Sequence, residues 1–137
     1  MSDILREKLR RVEDYSRWVR EKLTVRLLIL FGSLAREDWT ESSDIDILVV
    51  ADELSSDVGE NYIQLKQYMI EPIGYNSDIF VEEIKKPNML ILDALRYGRI
   101  LYFDEEYLNR IEAAVMRVLK EKKIVYERGV WVFKRRV

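Results

Sequence analysis

Two short apolar runs constrain this chain most: "TVRLLILF" at 24–31 and "DIDILVV" at 44–50. Both are rich in branched side chains and lack polar alternation, the pattern of strands buried on both faces. A sheet built around them needs helices on its two sides, and the flanking sequence supplies them. Residues 3–23 carry Leu5, Leu9, Val12, Val19 and Leu23 at helical spacing among Arg and Glu, which predicts an amphipathic helix. A second helix is predicted over 57–71, broken by Pro72 and Gly74, and a third strand over "YNSDIFVEE" (75–83). Pro87 opens a helix over about 88–97 that Gly98 stops, "RILYF" (99–103) reads as a fourth strand, and Asp104 caps a long helix with Leu108, Ile111, Val115, Val118 and Leu119. The tail "GVWVFKRR" fits an edge strand or a helical extension equally. The expected fold class is α/β (α+β), a small sheet of about four strands covered by helices, in a single domain spanning 1–137.

Composition then narrows the chemistry. The 137 residues contain no cysteine and no histidine. Disulfides, thiolate sites, imidazole bases and zinc-hydrolase sets are therefore excluded, and any metal must be held by oxygen. No apolar run is long enough to cross a bilayer, and charged residues begin at Asp3 with no apolar signal-peptide core, so the expectation is a cytoplasmic chain without membrane contact. The net charge of -2 hides an asymmetry. Residues 1–26 hold eight basic and five acidic side chains, 117–137 eight and two, and 27–116 seven and eighteen. Solvated helix faces account for this pattern; a basic tail ending "FKRRV" that contacts RNA or an acidic partner is the sharper alternative.

The acidic centre contains "FGSLAREDWTESSDIDILVV" (31–50). Side chains two apart on a strand share a face, so Asp44 and Asp46 project together while Ile45 and Ile47 point into the core. Such a pair repels unless a cation offsets it, and magnesium held jointly by carboxylates and substrate phosphates suits it. Gly32 allows a sharp exit from the first strand. Ser33 is expected to cap a short helix beginning "LARED", whose free backbone N–H groups and dipole would favour a phosphate. Together these features make a nucleotide site.

Gly-Ser, ten residues, then Asp-x-Asp resembles the signature of the nucleotidyltransferase superfamily that includes DNA polymerase β and kanamycin nucleotidyltransferase. The fuller "FGSLAR…SDIDILV" resembles its smallest members, the minimal nucleotidyltransferases. The likeness covers about residues 25–103, with "SDIFV" as the strand bearing a third acid and "ALRYGRILY" as the closing helix–strand element, leaving extra helices at both termini. It implies a polymerase β palm-like mixed sheet. Asp44, Asp46 and Asp78 would be the catalytic, metal-binding carboxylates for two magnesium (or manganese) ions, with Asp78 helping to deprotonate the acceptor. Gly32 and Ser33 would grip the triphosphate of ATP. Arg36 would either neutralise phosphate or anchor the loop. Two departures stand out: Glu37 occupies a position where many relatives have Gly, and the acidic loop carries Trp39, which either packs beneath it or stacks on a base.

The resemblance also implies a partner. Minimal nucleotidyltransferases resemble antitoxins encoded beside a helical HEPN-type RNase toxin, which they modify by moving AMP from ATP to a tyrosine. Alternatives are a non-catalytic antitoxin that sequesters its partner, or nucleotidylation of RNA or a small molecule. Apolar stripes on the terminal helices suit a homodimer, a partner interface or the chain's own core.

Overall fold

The computed structural model describes residues 2–133. Four strands form a mixed sheet in the order β3-β2-β1-β4, built from β1 (Val25–Phe31), β2 (Ile45–Ala51), β3 (Ile70–Asn76) and β4 (Arg99–Phe103). β2 runs antiparallel to β1 and parallel to β3, and β4 is antiparallel to β1 on the opposite edge. The order of elements is α1 (Asp3–Lys22), β1, α2 (Gly32–Arg36), β2, α3 (Val58–Leu65), β3, α4 (Ser77–Lys85), α5 (Met89–Tyr97), β4, α6 (Glu105–Glu121), β5 (Ile124–Glu127) and β6 (Val130–Phe133).

Two apolar layers sandwich the sheet, as the uninterrupted apolar strands require. Leu28, Leu30, Ile45, Ile47 and Val49 pack with Val12, Tyr15 and Val19 of α1 and Leu65 of α3. On the other face Leu27, Ile29, Leu48 and Val50 pack with Phe80, Ile84, Ile91, Ala94 and Ile111 of α4, α5 and α6. Lys8, buried on α1, donates from Nζ to the Ser43 carbonyl at 2.6 Å and lies 5.7 Å from the Trp39 ring centroid, pinning the loop that leads into β2. Trp39 packs against the α1-side core, under the loop.

The predicted strand over 75–83 is corrected. The chain is a strand earlier, at 70–76, and a helix from Ser77. Pro72 and Gly74, read as breakers, lie inside β3. Pro is admitted because β3 is an edge strand, where a missing N–H need not break a ladder. Gly74 is needed because α3 lies so close that an added Cβ would collide with Leu65. Helix α3 therefore ends at Leu65, short of the 57–71 expectation. Asn61 locks this arrangement, donating from Nδ2 to the Gly74 carbonyl at 3.0 Å.

As far as Phe133, the tail is neither an edge strand of the main sheet nor a helical extension. Strands β5 and β6 form a separate antiparallel hairpin across Arg128 (φ 50) and Gly129 (φ 82), both left-handed, as a two-residue type I′ turn requires. Arg-Gly lacks the Asn-Gly signature that would have announced it. Residues 134–137, which hold the basic end of the tail expected to contact RNA or an acidic partner, lie outside the described residues.

Candidate functional site

The end of the sheet where β1 stops and β2 begins gathers the acidic residues. Phe31, the last residue of β1, pairs with Asp46, and Gly32 turns away immediately with φ 71. A Cβ at Gly32 would overlap the Asp46 carboxylate, so glycine is required both by backbone conformation and by the close approach of that side chain. Asp44 stands exposed one step before the strand.

Parallel pairing of β2 with β3 places Glu71 directly beside Asp46. Paired residues on neighbouring strands point to the same face, so Glu71 joins the face that carries Asp46, Leu48 and Val50. Burial first, then the Glu71 and Asp44 carboxylates, raise the Asp46 pKa above the ordinary carboxylate range, while Arg36 opposes the shift. Lys66 sits at the outer edge, its Nζ donating to the Ile70 carbonyl at 2.6 Å and lying 3.5 Å from Glu71 Oε2.

Asp78 is not brought to this cluster. It occupies the first turn of α4, where Asn76 Oδ1 accepts from the Asp78 backbone N–H at 2.9 Å, and its carboxylate pairs with Arg110 at 3.5 Å. Asp46 pairs with Glu71 and Ala51 with Asn76, so Asp78 lies beyond the opposite end of the sheet, roughly 16 Å or more along the strands. The signal for Glu71 was present in the sequence, since "IEPIGY" can alternate as a strand once Pro72 is allowed at an edge.

Helix α2 also differs from expectation. It starts at Gly32 rather than Leu34, so Ser33 lies within its first turn and is not its cap. With five residues it has little dipole, and any anion binding there rests on the first-turn N–H groups and the Ser33 hydroxyl. Arg36 is exposed and pairs with Asp38 at 3.3 Å, so it does not anchor the loop to the core. Glu37 caps α2 in the left-handed conformation (φ 66), one that glycine adopts more readily, and pairs with Arg99 at 2.9 Å. Replacing Glu37 with Gly is expected to stabilise the fold by up to about 1 kcal/mol in urea unfolding, less whatever the exposed ion pair contributes.

The donor set fits a hard divalent cation. It offers only carboxylate oxygens, and the mutual repulsion that raises Asp46 is what a cation would relieve. Among the described residues no three acids converge into a ready-made metal cage. A carboxylate with a raised folded pKa costs stability where it is ionised, and the cost vanishes as pH falls below the ordinary carboxylate range. Asp46→Asn is therefore expected to raise the melting temperature at pH 7. The gain should disappear below about pH 4, and added magnesium should stabilise the parent chain more than the variant.

The profile of the nucleotidyltransferase domain family matches residues 12–137. This chain belongs to that family. Among its relatives are three proteins of Methanocaldococcus jannaschii, each provisionally named a protein adenylyltransferase. One is 36% identical over 103 residues, covering 66% of this chain and 70% of the relative. A second is 33% identical over 72 residues, covering 53% and 72%, and a third 33% identical over 88 residues, covering 64% and 81%. The fold is similar to a provisionally assigned nucleotidyltransferase from Sulfolobus solfataricus (TM-score 0.51, 17% identity, 77% of this chain and 93% of that one). It is also similar to a chain of a toxin–antitoxin complex crystallised with AMP-PNP (TM-score 0.52, 16% identity, 81% and 86%). The nucleotidyltransferase is of the minimal type, its four-stranded mixed sheet carrying the acidic end described above. Among the described residues no helix is long and apolar enough to cross a membrane.

Proposed function

We propose that this chain transfers AMP from ATP to a hydroxyl of a partner protein, acting as the antitoxin of a two-gene module whose toxin is a HEPN-type helical RNase and whose acceptor is a tyrosine. The observation that carries the reading is the position of Asp46 at one end of the sheet, against the Gly32 turn, with Glu71 paired beside it on β3 and Asp44 close enough to raise its pKa. The provisional names of the curated relatives support a protein as acceptor.

In this reading Gly32 and Ser33 hold the triphosphate through backbone N–H groups and a hydroxyl, and Arg36, exposed and free of the core, offsets phosphate charge. Asp44 and Asp46 would hold magnesium, which supplies charge neutralisation at the phosphates and a lowered barrier for attack. Glu71 takes the part the sequence suggested for Asp78: lying next to Asp46 on the edge strand, it can accept the proton of an incoming hydroxyl from the open side of the sheet.

The test is incubation of the purified chain with ATP labelled on the α-phosphate, magnesium and the protein encoded beside it. The expected result is label on a partner tyrosine, lost with Asp44→Asn plus Asp46→Asn. Neutralisation of the partner by that double variant, without ATP, would replace this reading with sequestration. Label on RNA or a small molecule instead of the partner would reassign the acceptor.

A further inference from the structure

The C-terminal hairpin is tied to the same end of the sheet. Trp131 Nε1 donates to Asp93 Oδ1 of α5 at 2.7 Å. The Arg96 guanidinium lies 3.8 Å from the Tyr126 ring centroid, and Tyr126 meets Trp131 and Tyr97 edge-on at 5.1 and 5.7 Å. These contacts hold the β5–β6 turn against α5 and close a cavity of about 320 Å³. One wall of the cavity is Gly32 and Arg36; the other is Asp93, Tyr97, Tyr126 and Gly129. The cavity thus begins at the turn assigned to the triphosphate and ends at an aromatic pair.

We infer that this cavity is the nucleoside subsite of the nucleotidyl donor, with the C-terminal hairpin as the element that builds it. The inference rests on the proposed nucleotidyl transfer and extends it. Tyr97 is 46% exposed and offers a ring face for a base to stack on, while Tyr126 meets it edge-on and Arg96 packs on the Tyr126 ring. Asp93 gives one carboxylate oxygen to Trp131, and its other oxygen can accept from an amine or hydroxyl of the nucleoside. Arg36, between this pocket and Asp46, spans the junction of nucleoside and phosphates. Stacking on an aromatic platform is tolerant of base identity and contributes substantially to affinity.

Binding of magnesium-ATP and of magnesium-tripolyphosphate to the full chain tests this. Tyr97→Ala, at an exposed position, is expected to weaken ATP binding roughly tenfold or more while leaving tripolyphosphate unchanged, and Tyr97→Phe is expected to retain ATP affinity. With 5-fluorotryptophan incorporated, the Trp131 resonance, assigned by Trp131→Phe, should shift with ATP and not with tripolyphosphate. Equal weakening of both ligands by Tyr97→Ala, or no preference of the parent chain for ATP over tripolyphosphate, would overturn the hairpin subsite and leave the transfer reading standing. Binding of neither ligand by the parent chain would overturn both.

Discussion

Replacing Asp44 and Asp46 together with Asn is expected to lower nucleotidyl transfer at least about a hundredfold, read as label transferred per minute or as pyrophosphate released. The same assay on single variants separates two candidates for the third carboxylate. Glu71→Gln is expected to fall with the pair, because Glu71 is the direct β3 neighbour of Asp46 and one of the charges that raise its pKa. Asp78→Asn is expected to leave the rate within about twofold, as surface changes away from a site do. Its side chain is 84% exposed and contacts Arg110 at the far end of the sheet. If Asp78→Asn abolished transfer while Glu71→Gln did not, the assignment of the acidic face would be wrong. The variants are nearly isosteric, so unfolding melts should show no loss of stability, Asp46→Asn gaining as stated above, and loss of activity can be read as loss of chemistry.

Gly32→Ala is expected to cost about 2 kcal/mol or more of stability and to lower transfer roughly a hundredfold. The first effect combines the left-handed backbone (φ 71) with overlap between the new methyl group and Asp46. The second follows because the Asp46 carboxylate must swing aside, and displacements of about an ångström at a reacting centre reduce rates on that scale. Two measurements distinguish the causes. Adding Asp46→Ala to Gly32→Ala removes the overlap and should recover part of the stability in urea titrations, the residue being the backbone term. Activity should not return, since the carboxylate is gone. A Gly32→Ala chain with parental melting temperature and rate would mean that the turn relaxes without disturbing Asp46.

The role of β3 shows where reading a sequence linearly fails. Pro72 and Gly74 are breakers by local propensity, which predicts the strand after them, carrying Asp78 with it. In the fold both residues answer to tertiary neighbours: Pro72 to an edge with no further strand, Gly74 to the side chain of Leu65 packed over it. A local cue pointed the other way. Asn76 accepts from the N–H groups of Asp78 and Ile79, and Phe80, Val81 and Ile84 recur at helical spacing, so "NSDIFVEEI" carries both a cap and a helical stripe. The hairpin was hidden for a related reason, because Arg128 adopts a left-handed conformation that its side chain does not advertise.

The sequence made the two central strands, the bracketing helices and the glycine turn legible, because each rests on short-range rules: apolar runs, helical spacing and a backbone conformation that glycine adopts freely. It also excluded histidine and thiolate chemistry outright. Tertiary structure alone decided which acid lies beside Asp46 and where the tail folds. Both depend on register and packing between segments far apart in the chain, β2 against β3 and the hairpin against α5. A pairing register moves whole side-chain sets from one end or face of a sheet to another, and nothing in a local pattern encodes it.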